Sequence, residues 1–213
     1  MTENQSRAVR KDVARNRQRL LDAGKEVFAE RGLDATLDDI ARHAGVGAGT
    51  AYRHFASRQE IINAIFTDAA QTFIVDGEHA QTLADPWAGF VDLIEAFTYR
   101  LAKDRGLHQV FTGDHSSGLH TEDWNGLITV ITEIVERAKG AGRLREDIEP
   151  SDVFTLFMML GPAYDLSTAT STGIWRRYVD LFLRAVQTDA PPAVLDAPRA
   201  LTTQAISQLI SPT

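Results

Sequence analysis

The stretch that decides the fold is Thr36 to Glu60, which reads T-L-D-D-I-A-R-H-A-G-V-G-A-G-T-A-Y-R-H-F-A-S-R-Q-E. It predicts two very short helices separated by a glycine turn, followed by the start of a third helix. Thr36 stands at the N-cap of the first helix, with Asp39 three residues later in the spacing of a capping box. Gly45 can adopt the positive φ that a tight turn needs. Ser57 with Glu60 predicts a second capping box, which opens the third helix.

The two short helices have one apolar face and one face of small and polar residues. Apolar side chains at helical spacing predict an inward set, Ile40, Ala44, Val46, Ala51 and Phe55. The outer set is Gly47, Ala48, Gly49, Thr50, Tyr52, Arg53 and His54. Two helices joined by a short glycine-containing turn are typical of a helix-turn-helix, whose second helix can enter the major groove of B-DNA. For this segment taken alone, an ordinary αα-turn is the alternative.

The same run resembles the DNA-binding signature of the tetracycline-repressor (TetR) family. The matching residues are Gly45-Val46, Gly49-Thr50, Tyr52, His54-Phe55 and Ser57-Arg58. Two positions depart from the family pattern. Gly47 stands where serine is usual, which removes a side-chain cap and a hydroxyl contact at the start of the second helix. Arg58 replaces the usual lysine, which preserves a cation for phosphate binding.

The resemblance implies a set of residues at the DNA. The set is Thr36, Gly47, Ala48, Gly49, Thr50, Tyr52, Arg53, His54 and Arg58. Phosphate contacts, which set register without reading sequence, are expected at Thr36, Tyr52, His54 and Arg58. The small residues at the start of the second helix let it approach closely. Arg53 is the candidate for base readout, because its planar fork matches the O6 and N7 acceptors of guanine.

Charge is distributed unevenly along the 213 residues. The formal net charge is −7, but residues 1–60 contain eleven Lys/Arg against nine Asp/Glu, a net of +2, whereas residues 61–213 carry a net of −9. A mildly basic head can bind phosphate locally while an acidic body repels it. The chain has no cysteine, which excludes disulfides and thiolate sites and fits a reducing cytoplasm. The polar N-terminus shows no apolar signal core, and no apolar run reaches the roughly 20 residues of a membrane span.

Helical periodicity continues through the chain and no strand pattern is present. The predicted fold is all-α, with an N-terminal three-helix head that binds DNA and a C-terminal helical domain for ligand binding and dimerisation. We divide the chain into a flexible polar arm at 1–11, a helix-turn-helix domain at 12–56, a helical body at 57–188 and a tail at 189–213 that contains one short candidate helix. Residues 57–77 form the helix that links head and body. The arm is either solvated or in contact with DNA.

Aromatic and methionine side chains recur across the helices of the body, and most of them are expected to be core. The family resemblance implies a ligand cavity among these helices, and flexible methionine beside aromatic rings suits a mainly apolar guest. The candidate lining residues are Phe66, Phe73, Phe97, Phe111, Trp124, Met158 and Met159.

Two helices near the C-terminal end, predicted to begin at Pro150 and at about Thr172, are apolar nearly all round. A helix of this kind is buried on more than one side. Either a second subunit or a large internal core must cover both helices, and we favour a homodimer interface. Its candidate residues are Phe154, Phe157, Trp175, Tyr178 and Phe182.

Two further groups carry side chains that are capable of chemistry. One irregular segment contains His108, His115 and His120 with Asp114, Glu122 and Asp123. These are metal-ligand types, but no regular i, i+4 histidine pair is present, so we favour a solvated loop and predict no metal. The second group is Asp165, Ser167 and Thr168, or Ser116 with His115. Neither combination has a Gly-x-Ser-x-Gly elbow, a P-loop or a dinucleotide glycine motif. No catalytic residue and no cofactor is therefore assigned.

The sequence predicts a homodimeric repressor that binds a palindromic operator and is released by a small, mainly apolar molecule. Ligand would shift the linking helix and separate the two recognition helices from successive major grooves, which is a coupling free energy between two sites. A co-repressor-dependent or activating regulator uses the same parts. From another class, an all-α enzyme or an adaptor with a relic head is the alternative. The presence of Tyr52 and of the caps at Thr36 and Ser57 argues against it.

Overall fold

The computed structural model describes residues 3–112, 121–170 and 173–188. In these ranges the chain is helical, and its only extended pairing is one isolated bridge between Leu144 and Gln187. The helices are α1 (Glu3–Arg31), α2 (Leu37–Ala44), α3 (Ala48–His54), α4 (Arg58–Thr82), α5 (Pro86–Lys103), α6 (Arg105–Thr112), α7 (Thr121–Gly140), α8 (Pro150–Met159), α9 (Gly161–Thr170) and α10 (Trp175–Val186). None of them has both the length and the apolar character for crossing a bilayer.

The described residues divide into two compact units. The first unit consists of 3–68 and 104–112, and it contains α1, α2, α3, the beginning of α4 and α6. The second unit consists of 69–103, 121–170 and 173–188, and it contains the rest of α4 with α5 and α7 to α10. One uninterrupted helix, α4, therefore supplies residues to both units.

Close helix packing forms the core of the first unit. Fully buried apolar side chains come from several of its helices, namely Leu20, Val27, Phe28, Ile40, Ile61 and Ile65. Gly24 lets α1 approach α4, because a Cβ there would lie 2.9 Å from Ile61 Cγ2. Gly106 does the same for α6, because a Cβ there would lie 2.0 Å from the Lys25 carbonyl oxygen. The short helix α6 is thus part of the head, which the sequence did not predict.

Stacked rings organise the second unit. Phe97 lies between Phe73 and Phe157, with centroid distances of 3.6 Å and 4.1 Å and nearly parallel planes. Trp124 meets Phe154 edge-on at 4.6 Å. An edge-on ring contact such as that of Trp124 contributes beyond the area that it buries.

The linking helix is longer than predicted. It was expected to end near residue 77, whereas α4 continues to Thr82. Gly77 is buried inside the helix and not at its end, and a Cβ there would lie 2.0 Å from Val130 Cγ1. Glycine is used at this position for close contact between α4 and α7, so its usual role as a helix terminator was misleading here.

The structure also differs from the prediction at the N-terminus. From Glu3 onward the expected arm at 1–11 is the first part of α1. This stretch contains Gln, Arg, Ala and Lys and no proline or glycine, and these residues favour a helix. Extending an existing helix needs no new nucleus, so the lack of an apolar face did not indicate an arm. The predicted tail at 189–213 lies outside the described residues.

Pro162 lies just beyond the end of the helix that begins at Pro150. That helix, α8, ends at Met159, and Pro162 falls in the first turn of α9, where no backbone N–H is required. The helix α9 itself was not predicted. Its hydroxyl side chains donate back to carbonyl oxygens one turn earlier, with Ser167 Oγ 2.7 Å from the Ala163 oxygen. Such residues give no apolar period from which a helix can be predicted.

Candidate functional site

The N-terminus of α2 is held by the predicted capping box. The Asp39 N–H donates to Thr36 Oγ1 at 3.2 Å, and the Thr36 hydroxyl and N–H donate to Asp39 Oδ2 at 2.6 Å and 3.2 Å. Arg42 and Arg31 lie 3.1 Å and 3.6 Å from Asp39 Oδ1. The hydrogen bonds from Thr36, assisted by the two arginines, hold the pKa of Asp39 below its ordinary value of 3.8.

The turn after α2 is fixed by backbone bonds. Gly45 has φ 62° and ψ 34°, the left-handed conformation that was predicted for it. The Val46 N–H donates to the Ala41 oxygen at 2.9 Å, and the Gly45 N–H donates to the Arg42 oxygen at 3.2 Å. This is the pattern of a Schellman motif. The direction in which the chain leaves α2 toward α3 is therefore fixed by backbone hydrogen bonds and by the left-handed conformation of Gly45.

Two arginines of α1 contact the C-terminal ends of α2 and α3. Arg19 Nη2 donates to the Ala44 oxygen at 2.6 Å, which satisfies another carbonyl at the end of α2. The Arg17 guanidinium lies 5.1 Å from the centroid of the Phe55 ring, at the end of α3. No periodic signal indicates these contacts, since both arginines are on the exposed side of α1.

The second helix, α3, presents a bare outer face. It has seven residues, and its inner side rests on fully buried Ala51 and on Phe55. On the outer side Tyr52 is 51% exposed. No heavy atom lies within 4 Å of the place where a Cβ would stand at Gly47 or Gly49. As predicted for Gly47, no side chain caps the helix start. The backbone at the start of α3 can thus be approached closely by a large surface.

The polar side chains of the predicted DNA set differ in how exposed they are and in whether they already have a hydrogen-bond or ion-pair partner. Arg53 is exposed but lies along the helix, where its Nη2 donates to Thr50 Oγ1 at 2.8 Å. Arg58 Nη1 is 3.6 Å from Asp34 Oδ1, an exposed pair of the kind that costs little to open. His54 is half-buried. The Thr36 hydroxyl already serves Asp39, so its expected phosphate contact would compete with the cap. The individual DNA roles stay predictions.

A cavity lies inside the second unit, between α5, α7 and α8. Its lining is Phe97, Trp124, Leu127, Ile128, Ile131, Pro150, Ser151 and Phe154. The centre of a water molecule could reach about 20 Å³ of it, which is room for about one water. The α7 helix supplies Trp124, Leu127, Ile128 and Ile131, which are spaced three, one and three residues apart along its inner side. Ser151 was missed, since one serine after a proline carries no pattern.

Only part of the predicted pocket set lines this cavity. Phe97 and Trp124 do so, and buried Phe73 stacks on Phe97. Phe66 and Phe111 instead pack together in the first unit, with centroids 4.9 Å apart. Met158 and Met159 are 43% and 71% exposed. These four residues, which were expected in the pocket, do not line this cavity. Periodicity cannot tell which of two apolar faces of α8 turns inward, nor that α6 belongs to the head.

The predicted interface set contains both buried and exposed residues. Phe154, Phe157 and Trp175 are buried within the subunit, so little of their surface is open to a partner. Tyr178 is exposed and Phe182 is half-buried. A different set forms what we call the α8–α10 apolar surface: Met158, Met159, Leu166, Tyr178 and Leu181, each more than 40% exposed. A groove of about 400 Å³ runs across part of it.

The remaining groups serve the fold or fall outside the described ranges. Ser167 Oγ accepts from the Trp175 N–H at 3.1 Å as well as donating within α9. His108 is buried in α6. Within the part of the chain that the structure describes, no three His, Asp or Glu side chains gather in a way that could hold a metal ion. Asp114, His115, Ser116 and His120 lie outside that part.

A capped short helix, a turn fixed by its own backbone and a second helix with a bare outer face define a helix-turn-helix DNA-binding protein. Residues 20–65 match the family of bacterial regulatory proteins named tetR. The chain is 33% identical over 110 residues to the uncharacterized HTH-type transcriptional regulator TtgW of Pseudomonas putida, an alignment that covers 51% of this chain and 82% of that protein. It is also 33% identical over 110 residues to the HTH-type transcriptional regulator SrpR of Pseudomonas putida, with 51% and 52% covered. The chain belongs to the tetR family and is a DNA-binding transcriptional regulator.

Solved structures show the same fold over most of the chain. The transcriptional regulator FadR from Bacillus subtilis, in complex with stearoyl-CoA, superimposes with a TM-score of 0.64 at 20% identity, over 79% of this chain and 98% of that one. The TetR transcription regulatory protein from Mycobacterium vanbaalenii gives a TM-score of 0.53 at 25% identity, over 84% and 99%. These likenesses confirm the predicted all-α fold with an N-terminal head and a C-terminal helical domain.

Proposed function

We propose that this regulator is a dimeric repressor, which binds a near-palindromic operator and releases it when a small, mainly apolar molecule enters the second unit. The observation that carries the proposal is the outer face of α3. It combines an accessible backbone at Gly47 and Gly49 with exposed Tyr52 and Arg53, on a helix whose orientation is fixed by the Gly45 turn.

Contacts to DNA divide by chemistry in this proposal. Tyr52, His54 and Arg58 hold phosphates and set the register of α3 in the major groove. On binding DNA, the Arg53 side chain gives up its 2.8 Å hydrogen bond to Thr50 Oγ1. It then donates two parallel hydrogen bonds to the O6 and N7 atoms of a guanine. Because the hydrogen bond to Thr50 is exposed, water can take its place, and little free energy opposes the exchange.

Dimerisation follows from the shortness of the reading helix. One α3 of seven residues spans few base pairs, and two half-sites one helical turn apart supply the missing contacts. The α8–α10 apolar surface is the region that we assign to the partner subunit. Three of the five residues, Met159, Leu166 and Tyr178, line one groove, and exposed apolar patches mark interaction sites on proteins. None of the five side chains carries a charge.

Control by a ligand rests on the cavity and on α4. A guest in the cavity contacts Phe97, and Phe97 stacks at 3.6 Å on Phe73 of α4. The same helix begins at Arg58, four residues after α3 ends. A change in the position of Phe73 therefore acts on an element that also carries a predicted DNA contact. If the guest binds more tightly to one of two conformations that differ in the position of α4, that difference in affinity is the coupling free energy between the cavity and the DNA site. The stearoyl-CoA complex of the Bacillus subtilis FadR supports effector binding in this fold.

A reporter experiment tests repression directly. An operator selected in vitro is placed over a promoter that drives a fluorescent protein, with and without the regulator. We expect low expression with the wild type and restored expression with Tyr52→Ala, measured at equal protein levels. Higher expression with the wild type than without it would show an activator. Expression that does not respond to the regulator would contradict the proposal.

A further inference from the structure

The wall of the cavity in the second unit is almost entirely apolar. Its aromatic, aliphatic and proline residues are interrupted by a single small polar side chain, the hydroxyl of Ser151. No lining residue is ionisable. A charged group buried against such a wall would lose its hydration without gaining a partner, which is strongly unfavourable. The lining therefore selects against carboxylates, phosphates and ammonium groups.

Ser151 is the feature that points to a particular guest. The residue is 4% exposed, and its buried Oγ has no hydrogen-bond partner among the described residues. Buried hydroxyls are normally bonded, so this atom needs an explanation. A trapped water is a poor one, because buried waters take about two to four polar partners and this cavity offers one hydroxyl.

The position of Ser151 in its helix indicates whether the group that faces it is a hydrogen-bond donor or an acceptor. It is in the first turn of α8, directly after Pro150. Helix N-termini carry a partial positive charge and favour electron-rich groups. The hydroxyl is then best used as a donor, and the group that faces it is an oxygen acceptor.

We propose that the effector is an uncharged, largely apolar molecule with one oxygen acceptor, such as a ketone, ester or ether. Its oxygen accepts a hydrogen bond from Ser151 Oγ, and its apolar part packs against Phe97, Trp124 and Ile131. The assignment rests on the proposed ligand control of this regulator. The space that the centre of a water molecule can reach is about 20 Å³, well below the usual range for ligand sites, so a guest must displace side chains of the wall as it enters. The guest is accordingly a compact molecule, and neither a long acyl chain nor its coenzyme A thioester matches the wall.

Three probes of equal carbon skeleton isolate the chemistry: 4-phenyl-2-butanone, butylbenzene and 4-phenylbutanoate. Binding of each to the DNA-free protein is measured by titration calorimetry, and release of the operator is measured separately. We expect the ketone to bind about 2- to 10-fold more tightly than the hydrocarbon, which is the weight of one neutral hydrogen bond. The carboxylate should not bind measurably.

Two variants on α8 locate the effect. Ser151→Ala should bind the ketone and the hydrocarbon equally, with no loss of thermal stability, because it removes a polar atom that lacks a partner. Thr155→Val removes a hydroxyl that donates to the Ser151 carbonyl but does not line the cavity, and it should keep the preference for the ketone. Stearoyl-CoA serves as the probe for the competing anionic class.

The outcomes separate this proposal from the proposed function. Ketone binding that depends on Ser151 supports the assignment, even if the operator is not released. In that case the proposed release of DNA by a ligand is contradicted, but the assignment of the cavity is not. No saturable ketone binding at about 1 mM, equal or tighter binding of 4-phenylbutanoate, or an unchanged preference in Ser151→Ala overturns the assignment. Operator release by stearoyl-CoA, without binding of the ketone, would keep ligand control and overturn the assignment.

Discussion

At the scale of single residues, Asp39 shows how a surface carboxylate can stabilise the first helix of a helix-turn-helix. Hydrogen bonds from Thr36, with Arg42 and Arg31 nearby, lower the pKa of Asp39 from its ordinary 3.8. A group whose folded pKa is depressed contributes stability that is present above the unfolded value and is lost as pH falls through the folded value. The contribution of this cap is thus complete at neutral pH and declines only as the pH approaches and falls below 3.8.

The corresponding prediction concerns Asp39→Asn. It should lower the stability of the head at about pH 7, and its difference from the wild type should shrink at about pH 3, where the wild-type side chain begins to take up a proton. Urea unfolding at the two pH values measures this. Asp38→Asn, at the adjacent position, is the matched control, since no hydrogen bond of its carboxylate is seen among the described residues. A difference of the same size at both pH values would contradict the role of the charge.

Arg53 and Tyr52 are neighbours with different expected tasks. Arg53→Ala should relax sequence preference at one symmetric pair of operator positions, by about 1–3 kcal/mol per half-site. Tyr52→Ala should weaken all sequences to a similar extent, because a phosphate contact carries no base identity. Site selection with both variants compares them. Thermal stability should change little, since both side chains are exposed. A retained preference in Arg53→Ala with an altered one in Tyr52→Ala would reverse the assignment.

At the scale of elements, α6 is attached to the head by a glycine. A Cβ at Gly106 would lie 2.0 Å from the Lys25 carbonyl oxygen, and backbone cannot yield as a flexible side chain can. Asp104 reinforces the contact, with Oδ1 accepting from the Leu107 N–H at 2.8 Å and Oδ2 3.8 Å from Lys25 Nζ. The helix α6 is therefore fitted to α1 by shape as well as by charge.

We expect Gly106→Ala to destabilise the protein by about 1–3 kcal/mol, the usual effect of overpacking. Thermal unfolding measures the change, and hydrogen exchange in α1 and α6 locates it. Gly140→Ala is the control, because nothing lies within 4 Å of a Cβ at that position and alanine favours a helix. If the two variants unfold at the same temperature, α6 does not pack on α1 as closely as described.

Local chemistry explains which elements were predictable. The α2–turn–α3 unit follows from residues a few positions apart: the cap at Thr36, the left-handed Gly45 and the buried Ala51. Burial between distant helices has no such local signal. Phe157 and Met158 are adjacent on an apolar helix, yet one is 2% exposed and the other 43%. Only the packing of α5 and α7 against α8 decides between them, so the cavity and the exposed surface were only partly predicted.

At the scale of the whole molecule, the α8–α10 apolar surface is expected to join two subunits. Replacing Met159 and Tyr178 together by lysine should produce folded monomers that bind the operator weakly, because two like-charged groups per subunit would be placed in an apolar contact. Sedimentation at micromolar concentration measures the assembly state. Val75→Lys is the control, since Val75 is a 61% exposed apolar residue on α4 and lies outside this surface. A wild type that sediments as a monomer would reject the interface.

The helix α3 is expected to read DNA as one half of a symmetric pair. The most direct measurement is selection of duplexes from a random pool by the wild-type protein, followed by the salt dependence of binding to the selected site. We predict enrichment of a near-palindrome whose half-sites are about one helical turn apart. The logarithm of affinity should fall with the logarithm of salt concentration by about 0.9 for each phosphate contacted. Failure to enrich any duplex at low salt, or a selected site without two-fold symmetry, would contradict the account.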